Sequence, residues 1–215
     1  MAFDASPSRD CPDCPRLAAF RAANRAAYPD WSNAPVPSFG RPNARLLIVG
    51  LAPGLKGANR TGRPFTGDFA GDLLYRTLLD FGFASGRYDR RADDGLELVD
   101  CAIVNAVRCA PPQNKPTPQE IASCRVYLKR SIAGLTDLRV VLTLGRIAHD
   151  TILRAFDARS ASFSFAHGAR REIRPGGPVL FDSYHCSRYN TNTGVLTEAM
   201  FRDVFAAIRT ELDLQ

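Results

Sequence analysis

Four short apolar runs recur along the chain and constrain its fold more than any other feature. They cover residues 45–50, 97–107, 138–144 and 178–184. Continuous apolar runs of this length are typical of strands that are buried on both faces of a sheet. The spacing between the runs leaves room for helices, which favours parallel strands joined by crossovers. We therefore expect a three-layer α/β/α sandwich with a central four-stranded parallel sheet.

Segments with helical spacing lie between and around these runs. The clearest helix start is Thr117-Pro-Gln-Glu120, a capping box with proline at the first helical position. The chain has 215 residues, about the size of one α/β domain, and we expect a single domain over residues 1–215. The other predicted helices cover residues 10–28, which open with a CxxC turn, 69–81, 146–156 and 197–212.

Charge and hydropathy limit the class of function. The formal net charge is +6 and arginine far outnumbers lysine, a bias that suits phosphate contacts, although many basic proteins bind no nucleic acid. No run reaches the ~20 apolar residues of a membrane span, and residues 1–10 lack the apolar region of a signal peptide. We expect a cytoplasmic protein whose cysteines stay reduced.

Four cysteines form a candidate metal site. Cys11 and Cys14 make a CxxC, Cys109 follows the second apolar run, and Cys124 lies in the helix that begins after Thr117. Four thiolates suit either zinc or a 4Fe-4S cluster, and their spacing alone does not choose. Small buried core residues, or a redox-active CxxC pair, are the alternative interpretations.

A glycine-rich stretch, residues 50–68, follows the first apolar run. It is too long for a simple connector and lacks the P-loop and dinucleotide-binding patterns. It therefore predicts a substrate-binding loop that includes Gly50, Ala52 and Gly54. Asp68 stands directly before a helix, where it suits a catalytic role, an N-cap role, or both.

Asn105 and His185 each lie at the end of an apolar run, where open α/β sheets keep their ligands. An isolated asparagine also commonly satisfies loop backbone groups, so that alternative stays open for Asn105. Cys186 adjoins His185 and is ambiguous. Three further side chains are interpreted as structural: His149, His167 and Cys101.

Three motifs in order along the chain resemble the family 5, or B-type, uracil-DNA glycosylases. They are GLAPGLKGANRTGRPFTGD at 50–68, NAVRCAPPQNKPTPQEIASC at 105–124 and HCSRYNTNTG at 185–194. With the four matched cysteines, the resemblance extends over residues 11–197. It implies the uracil-DNA glycosylase fold, a 4Fe-4S cluster on Cys11, Cys14, Cys109 and Cys124, and hydrolysis of the bond between uracil and deoxyribose.

The resemblance also assigns roles to single residues. Asp68 matches the catalytic aspartate, Asn105 the asparagine beside the base, and His185 the histidine of the third motif. Phe65 matches the aromatic residue on which the extruded base stacks, although ordinary core packing is its alternative. Leu51 departs from family 4, which carries an acidic residue there. Contacts to DNA are expected from Ser187, Arg188, Tyr189 and Asn190.

We therefore expect a monomeric base-excision repair enzyme that flips uracil out of DNA and leaves an abasic site. Three alternatives stay open at this point. One is a glycosylase for another deaminated base, such as hypoxanthine or xanthine. The others are a non-catalytic iron-sulfur DNA-binding or redox protein and a zinc-stabilised binding module.

Overall fold

Strands and helices alternate along most of the chain in this computed structural model, which describes residues 3, 5–158 and 163–214. The strands are β1 (Phe39–Gly40), β2 (Leu46–Gly50), β3 (Ala84–Ser85), β4 (Glu97–Leu98), β5 (Cys101–Asn105), β6 (Val140–Leu144), β7 (Arg170–Glu172) and β8 (Val179–Ser183). The helices are α1 (Pro15–Ala27), α2 (Ala58–Thr61), α3 (Phe69–Asp80), α4 (Pro118–Ala133), α5 (Arg146–Ala155), α6 (Arg188–Asn192) and α7 (Glu198–Asp213). A 3-10 turn covers Pro112–Asn114.

The main sheet has six strands in the order β1-β5-β2-β6-β8-β7. Its four central strands, β5, β2, β6 and β8, are parallel, as predicted. Two antiparallel edge strands, β1 and β7, extend the sheet beyond the prediction. Neither carries an apolar run, because β1 has only two residues and β7 reads Arg-Arg-Glu, which is typical of a protected sheet edge.

Alternating side chains of the central strands face two separate helical layers. Leu46 and Ile48 belong to the core that includes α3 and α7, whereas Leu47 and Val49 belong to the core that includes α4 and α5. Burial on both faces explains why these strands read as continuous apolar runs. The three-layer α/β/α sandwich is therefore confirmed.

The apolar run over residues 97–107 does not form one strand. It divides into β4, which pairs with β3 in a separate two-stranded sheet, and β5 in the main sheet. Asp100 between them has a φ of +54°, so the chain turns there, and its carboxylate accepts hydrogen bonds from the Arg45 backbone and side chain. A turn of this kind interrupts a strand without interrupting the apolar pattern.

Helix starts follow the predicted capping chemistry. Thr117 and Glu120 form the complete capping box at the start of α4. The third motif contains the short helix α6, which was not predicted from the sequence, and the Ser187 hydroxyl caps it by accepting a hydrogen bond from the Asn190 amide. Among the described residues, none of the helices combines the length and apolar character that a membrane crossing needs.

Candidate active site

One cavity of about 390 Å³ lies where β2, β5 and β8 end. The structure brings Asp68, Asn105, His185 and Phe65 together in its wall, although they come from three distant motifs. Four other predicted site residues share the lining: Ala52, Gly54, Ser187 and Arg188. Parallel strands place their carboxyl ends at one edge of the sheet, which explains the convergence.

Asp68 caps a helix with one carboxylate oxygen and also lines the cavity, which is where a catalytic role would place it. Its Oδ1 accepts a hydrogen bond of 3.3 Å from the Gly71 amide at the start of α3. Burial raises the pKa of this carboxyl above its usual value, although hydrogen bonds from the amides of Gly71 and Ala70 oppose that shift. Capping therefore helps to keep a desolvated carboxylate ionised.

Two glycines of the 50–68 loop make room for the Asp68 carboxylate. A Cβ added to Gly54 would lie 2.9 Å from Oδ2, and one added to Gly57 would lie 2.4 Å from it. Both distances are shorter than ordinary van der Waals contact. The glycines of this loop thus make space for the Asp68 side chain, which the sequence pattern alone did not reveal.

Gly50 has a similar relation to two other site residues. A Cβ at this position would lie 2.5 Å from Oδ1 of Asn105 and 2.6 Å from Cζ of Phe65. The amide of Asn105, at the end of β5, and the Phe65 ring therefore meet across Gly50. An amide beside an aromatic face is an arrangement suited to a planar heterocycle, because the ring stacks and the amide reads its polar edge.

His185 is held over the cavity by its backbone. The Asn190 side-chain amide donates a hydrogen bond of 2.8 Å to the His185 carbonyl, and the His185 ring lies 6.0 Å from the Phe65 ring, centroid to centroid. Burial lowers the pKa of the imidazole, so it is neutral at pH 7. A neutral imidazole still offers one N–H donor to a ligand.

The four predicted DNA-contact residues do not all point the same way. Ser187 and Arg188 line the cavity, and the Arg188 guanidinium lies 5.2 Å from the centre of the Phe69 ring. Tyr189 is 74% exposed at the surface of α6. Asn190 instead turns inward to His185, so its side chain supports the site.

Several lining residues were not identified from the sequence. Phe69 follows Asp68 directly, and Asn114 comes from the proline-rich loop that precedes α4. Asn114 and its neighbour Gln113 have φ values of +57° and +55°, which turn this loop toward the cavity. Asparagine adopts this left-handed conformation more readily than most residues, and a Gln-Asn pair between prolines was the available signal.

Cys11, Cys14, Cys109 and Cys124, called the cysteine quartet below, line a second, smaller cavity. Leu17 and Val107 are among its other lining residues. All four carry free thiols. Within the described part of the chain, no three acidic, histidine or cysteine side chains lie close enough to hold a single metal ion. The four cysteines therefore share one small cavity.

Polar groups around this second cavity are directed at the sulfur atoms. The Arg108 amide donates to Cys124 Sγ at 3.3 Å, and the Arg21 guanidinium donates to Cys109 Sγ at 3.3 Å. Burial raises the pKa of Cys124 to about 12 and that of Cys14 to about 11, so these two thiols are protonated at pH 7 when they bind no metal.

An ion pair joins the two segments that carry the quartet. Arg16 at the start of α1 donates to both carboxylate oxygens of Glu120, at 2.8 and 2.7 Å, and to the Lys115 carbonyl at 3.0 Å. Glu120 is also the capping-box residue of α4. One carboxylate therefore orders the start of α4 and holds α1 against it.

The remaining cysteines and histidines have contacts typical of structural residues. Cys186 is fully buried, donates to the Ala70 carbonyl at 3.4 Å, and has its pKa raised to about 12 by burial, so it is a neutral thiol behind the site. His149 is buried in the core and pairs with the Asp182 carboxylate at 2.8 Å. Cys101 is buried within β5.

Comparison with known proteins agrees with this geometry. Residues 37–209 match the family model described as the uracil DNA glycosylase superfamily. The chain is 46% identical to the type-5 uracil-DNA glycosylase of Thermus thermophilus, over 90% of each protein. It is 38% identical to the type-5 enzyme of Pyrobaculum aerophilum, over 91% of this chain and 86% of that protein.

A type-4 uracil-DNA glycosylase, from Archaeoglobus fulgidus, is 34% identical over 66% of this chain and 64% of that protein. The family model spans most of the chain, and the sheet and the cavity come from the matched region. This chain belongs to the uracil DNA glycosylase superfamily.

Proposed function

We propose that this enzyme hydrolyses the N-glycosidic bond of uracil in DNA and leaves an abasic site. The observation that carries the proposal is the convergence of Asp68, Asn105, His185 and Phe65 on one cavity in a member of this superfamily. The cavity is lined by an aromatic face, an amide, a neutral imidazole and a carboxylate. Each of these groups has a task in glycosidic hydrolysis.

The first task is to bind a base that has left the duplex. Extrusion costs a few kcal/mol, less for a mismatched base such as uracil opposite guanine. Stacking on Phe65 returns ~1 to 3 kcal/mol but accepts any base. Selection therefore falls to the Asn105 amide, which complements the O4 and N3–H edge of uracil, whereas cytosine presents the reverse polarity. Arg188 and Tyr189 contact the DNA around the extruded nucleotide.

The second task is to break the C1′–N1 bond. Its electron pair leaves with the base, so positive charge develops on the sugar and negative charge on uracil, as in glycoside hydrolysis. Asp68 stabilises the sugar cation and accepts a proton from the water that adds to C1′. His185, neutral and fixed through its carbonyl, donates to uracil O2 where negative charge develops.

The four cysteines hold a 4Fe-4S cluster in this proposal, with a structural role. In support of this, the four cysteines line one cavity, and N–H groups donate to the sulfur atoms of two of them, as is common around the thiolates of iron-sulfur clusters. Ligation would deprotonate the thiols. The cluster would then join α1 to the loop before α4, beside the Arg16–Glu120 pair.

Metal analysis of anaerobically purified protein tests this part. We expect about four iron and four sulfide ions per chain and a brown colour, lost in Cys109→Ser. Cys101→Ala is the matched control, because Cys101 is buried in β5 away from the quartet, and it should keep its iron. Stoichiometric zinc in colourless wild-type protein would refute the cluster.

Strand cleavage at abasic sites after incubation with a U:G duplex tests the catalytic roles. Asn105→Ala and His185→Ala should each lower the single-turnover rate by about 10² to 10³, as removal of one transition-state hydrogen bond does elsewhere. Asn43→Ala changes an exposed asparagine between β1 and β2 and should keep the wild-type rate. Wild-type rates for the two site variants, with unchanged melting temperatures, would overturn the assignment.

We extend the proposal to larger deaminated bases. Its volume of about 390 Å³ and its apolar wall of Leu51, Ala52, Pro53 and Ala58 leave room for hypoxanthine or xanthine. The same incision assay on duplexes that carry these purines measures the range. The enzyme acts as a monomer in this account, which size-exclusion chromatography of the free protein checks.

A further inference from the structure

Phe65 has a backbone conformation that bulky residues rarely adopt. Its φ is +55°, in the left-handed region, and its ring lines the active-site cavity while only 7% of the residue is exposed. A non-glycine residue in this region is costly and persists where its surroundings enforce it. The contacts of the Phe65 turn, residues 63–67, therefore show what fixes the orientation of the ring.

A buried ion pair anchors the start of this turn. Both terminal nitrogens of Arg63 donate to the Asp94 carboxylate at 2.8 Å, and Arg63 Nε donates to the Thr66 hydroxyl at 2.7 Å. The side chain of Arg63 is 5% exposed and that of Asp94 is fully buried. Arg63 thus has no exposed face for a DNA phosphate, although it lies in a basic motif.

Three aromatic rings surround the Arg63 guanidinium. Its central carbon lies 5.2 Å from the Phe39 ring centre, 5.3 Å from that of Tyr75 and 5.9 Å from that of Tyr88. Cation–π contacts of this kind strengthen when the cation is removed from water, as it is here. The Arg63 guanidinium is therefore held both by hydrogen bonds to Asp94 and Thr66 and by contacts with aromatic rings.

Two tyrosine hydroxyls hold the backbone on either side of Phe65. Tyr75 donates to the Pro64 carbonyl at 2.5 Å. Tyr88 donates to the Phe65 carbonyl at 3.5 Å and accepts from the Gly67 amide at 3.4 Å. Neither tyrosine lines the cavity, and both hydroxyls contact the backbone of the turn that carries the Phe65 ring.

Asp94 reaches this turn from the segment between β3 and β4. Its carboxylate also accepts hydrogen bonds from the amides of Asp89 and Leu96, at 2.9 and 3.1 Å. Burial alone would raise the pKa of Asp94, but the Arg63 and backbone hydrogen bonds outweigh burial and hold the pKa below its usual value. The carboxylate is therefore ionised and fully paired at pH 7.

We infer that Arg63, Asp94 and Tyr88 are positioning residues that hold the Phe65 ring as the stacking face for the extruded base. This inference rests on the stacking role given to Phe65 in the proposed function. It assigns a catalytic consequence to the small β3–β4 hairpin and the segment within it, which have no contact with the cavity. Loosening the Phe65 turn should weaken capture of the extruded base, with little effect on binding of undamaged DNA.

The mildest perturbation is Tyr88→Phe, which removes one oxygen and keeps the ring beside Arg63. Asp94→Asn is a second variant of unchanged size, and Asp100→Asn is its matched control. Asp100 pairs with Arg45, Oδ2 to Nη2 at 2.6 Å, before β5, at the opposite end of the sheet from the site. Breaking that pair perturbs stability without touching the Phe65 turn.

The assay measures dissociation constants for a duplex with 2′-fluoro-2′-deoxyuridine opposite guanine, whose fluorine prevents cleavage, and for the same duplex with thymidine. Tyr88→Phe should weaken binding of the uracil analogue about 3- to 10-fold, a fraction of one base-stacking contact, and leave the thymidine duplex within about 2-fold. In protein that also carries Phe65→Leu, Tyr88→Phe should change the dissociation constant for the uracil-analogue duplex by less than about 2-fold, because Tyr88 acts through the Phe65 ring.

Equal losses in both backgrounds, or no loss in either, would overturn the inference. A second measurement does not depend on DNA: ¹⁹F NMR of protein labelled with 4-fluorophenylalanine, with the Phe65 signal identified by its absence from Phe65→Leu. Asp94→Asn, which introduces no new phenylalanine, should shift or broaden that signal, and Asp100→Asn should not. An unchanged Phe65 signal refutes the positioning role. Absence of uracil excision by the wild type refutes the proposed function instead.

Discussion

Replacing Asp68 with asparagine should separate its structural role from the catalytic role proposed for it. Asparagine caps helices about as well as aspartate does, so the hydrogen bond to the Gly71 amide is retained in kind. The negative charge is lost. Asp68→Asn therefore tests the charge alone, whereas Asp68→Ala removes the cap as well.

The expected rate loss follows from Coulomb's law. A carboxylate about 4 Å from a unit positive charge, roughly the spacing across one water, gains about 4 kcal/mol at an effective dielectric constant of 20. If half a charge develops on the sugar, the gain is about 2 kcal/mol, which corresponds to about 30-fold in rate. Loss of the oriented water adds to this, so we expect a decrease of about 30- to 1,000-fold.

The stability of Asp68→Asn should be equal to or higher than that of the wild type, although its rate is lower. Because the folded-state pKa of Asp68 is raised above 3.8, its contribution to stability is complete below pH 3.8 and is lost as the pH rises through the folded-state pKa. At pH 7 the buried carboxylate is a net cost, which asparagine removes. Asp68→Asn should thus melt at or above the wild-type temperature. The free energy of unfolding of Asp68→Ala should be about 1 kcal/mol lower than that of Asp68→Asn, because alanine cannot cap the helix.

Single-turnover excision from a U:G duplex and thermal unfolding at pH 7 measure the two effects. We expect Asp68→Asn to be slow in excision but stable. A wild-type rate in that variant would refute the catalytic role of the charge. A lower melting temperature would refute the statement that the ionised carboxylate is a cost.

Three further predictions concern Gly50, Glu120 and Arg188. Gly50→Ala places a Cβ against Asn105 and Phe65 and should lower kcat/KM about 10-fold or more; an unchanged value in the incision assay contradicts the close approach. The Arg16 hydrogen bonds hold the pKa of Glu120 below its usual 4.5, so its stabilisation is present above pH 4.5 and lost as the pH falls through the folded-state pKa. Glu120→Gln should accordingly melt below the wild type by the largest margin at pH 7, and this difference should disappear at acid pH. A difference that grows on acidification argues against the ion pair. Arg188→Ala should reduce the slope of log affinity against log salt by about one, and an unchanged slope removes Arg188 from the phosphate contacts.

Much of the fold could be predicted because the central strands are buried on both faces. The four parallel strands, the two helical layers and the α4 capping box all followed from apolar runs and local polar signals. The division at Asp100 could not be predicted, because its left-handed turn leaves the apolar pattern intact. Strand β7 was missed since its stability comes from pairing with β8 rather than from apolar residues.

The candidate site shows the same division between local and tertiary information. That Asp68, Asn105 and His185 lie together follows from their places at strand and helix ends. That Gly54 makes room for a carboxylate, or that Asn190 turns inward to His185, depends on contacts between distant segments. Such contacts leave no periodic trace in the sequence.

The most direct test of the central claim is the release of free base by purified wild-type enzyme. A U:G duplex and an otherwise identical T:A duplex are incubated with the enzyme, and free uracil and thymine are quantified by mass spectrometry. The account predicts one uracil released for each abasic site formed and no thymine. An absence of free uracil, with intact and properly folded protein, would contradict it.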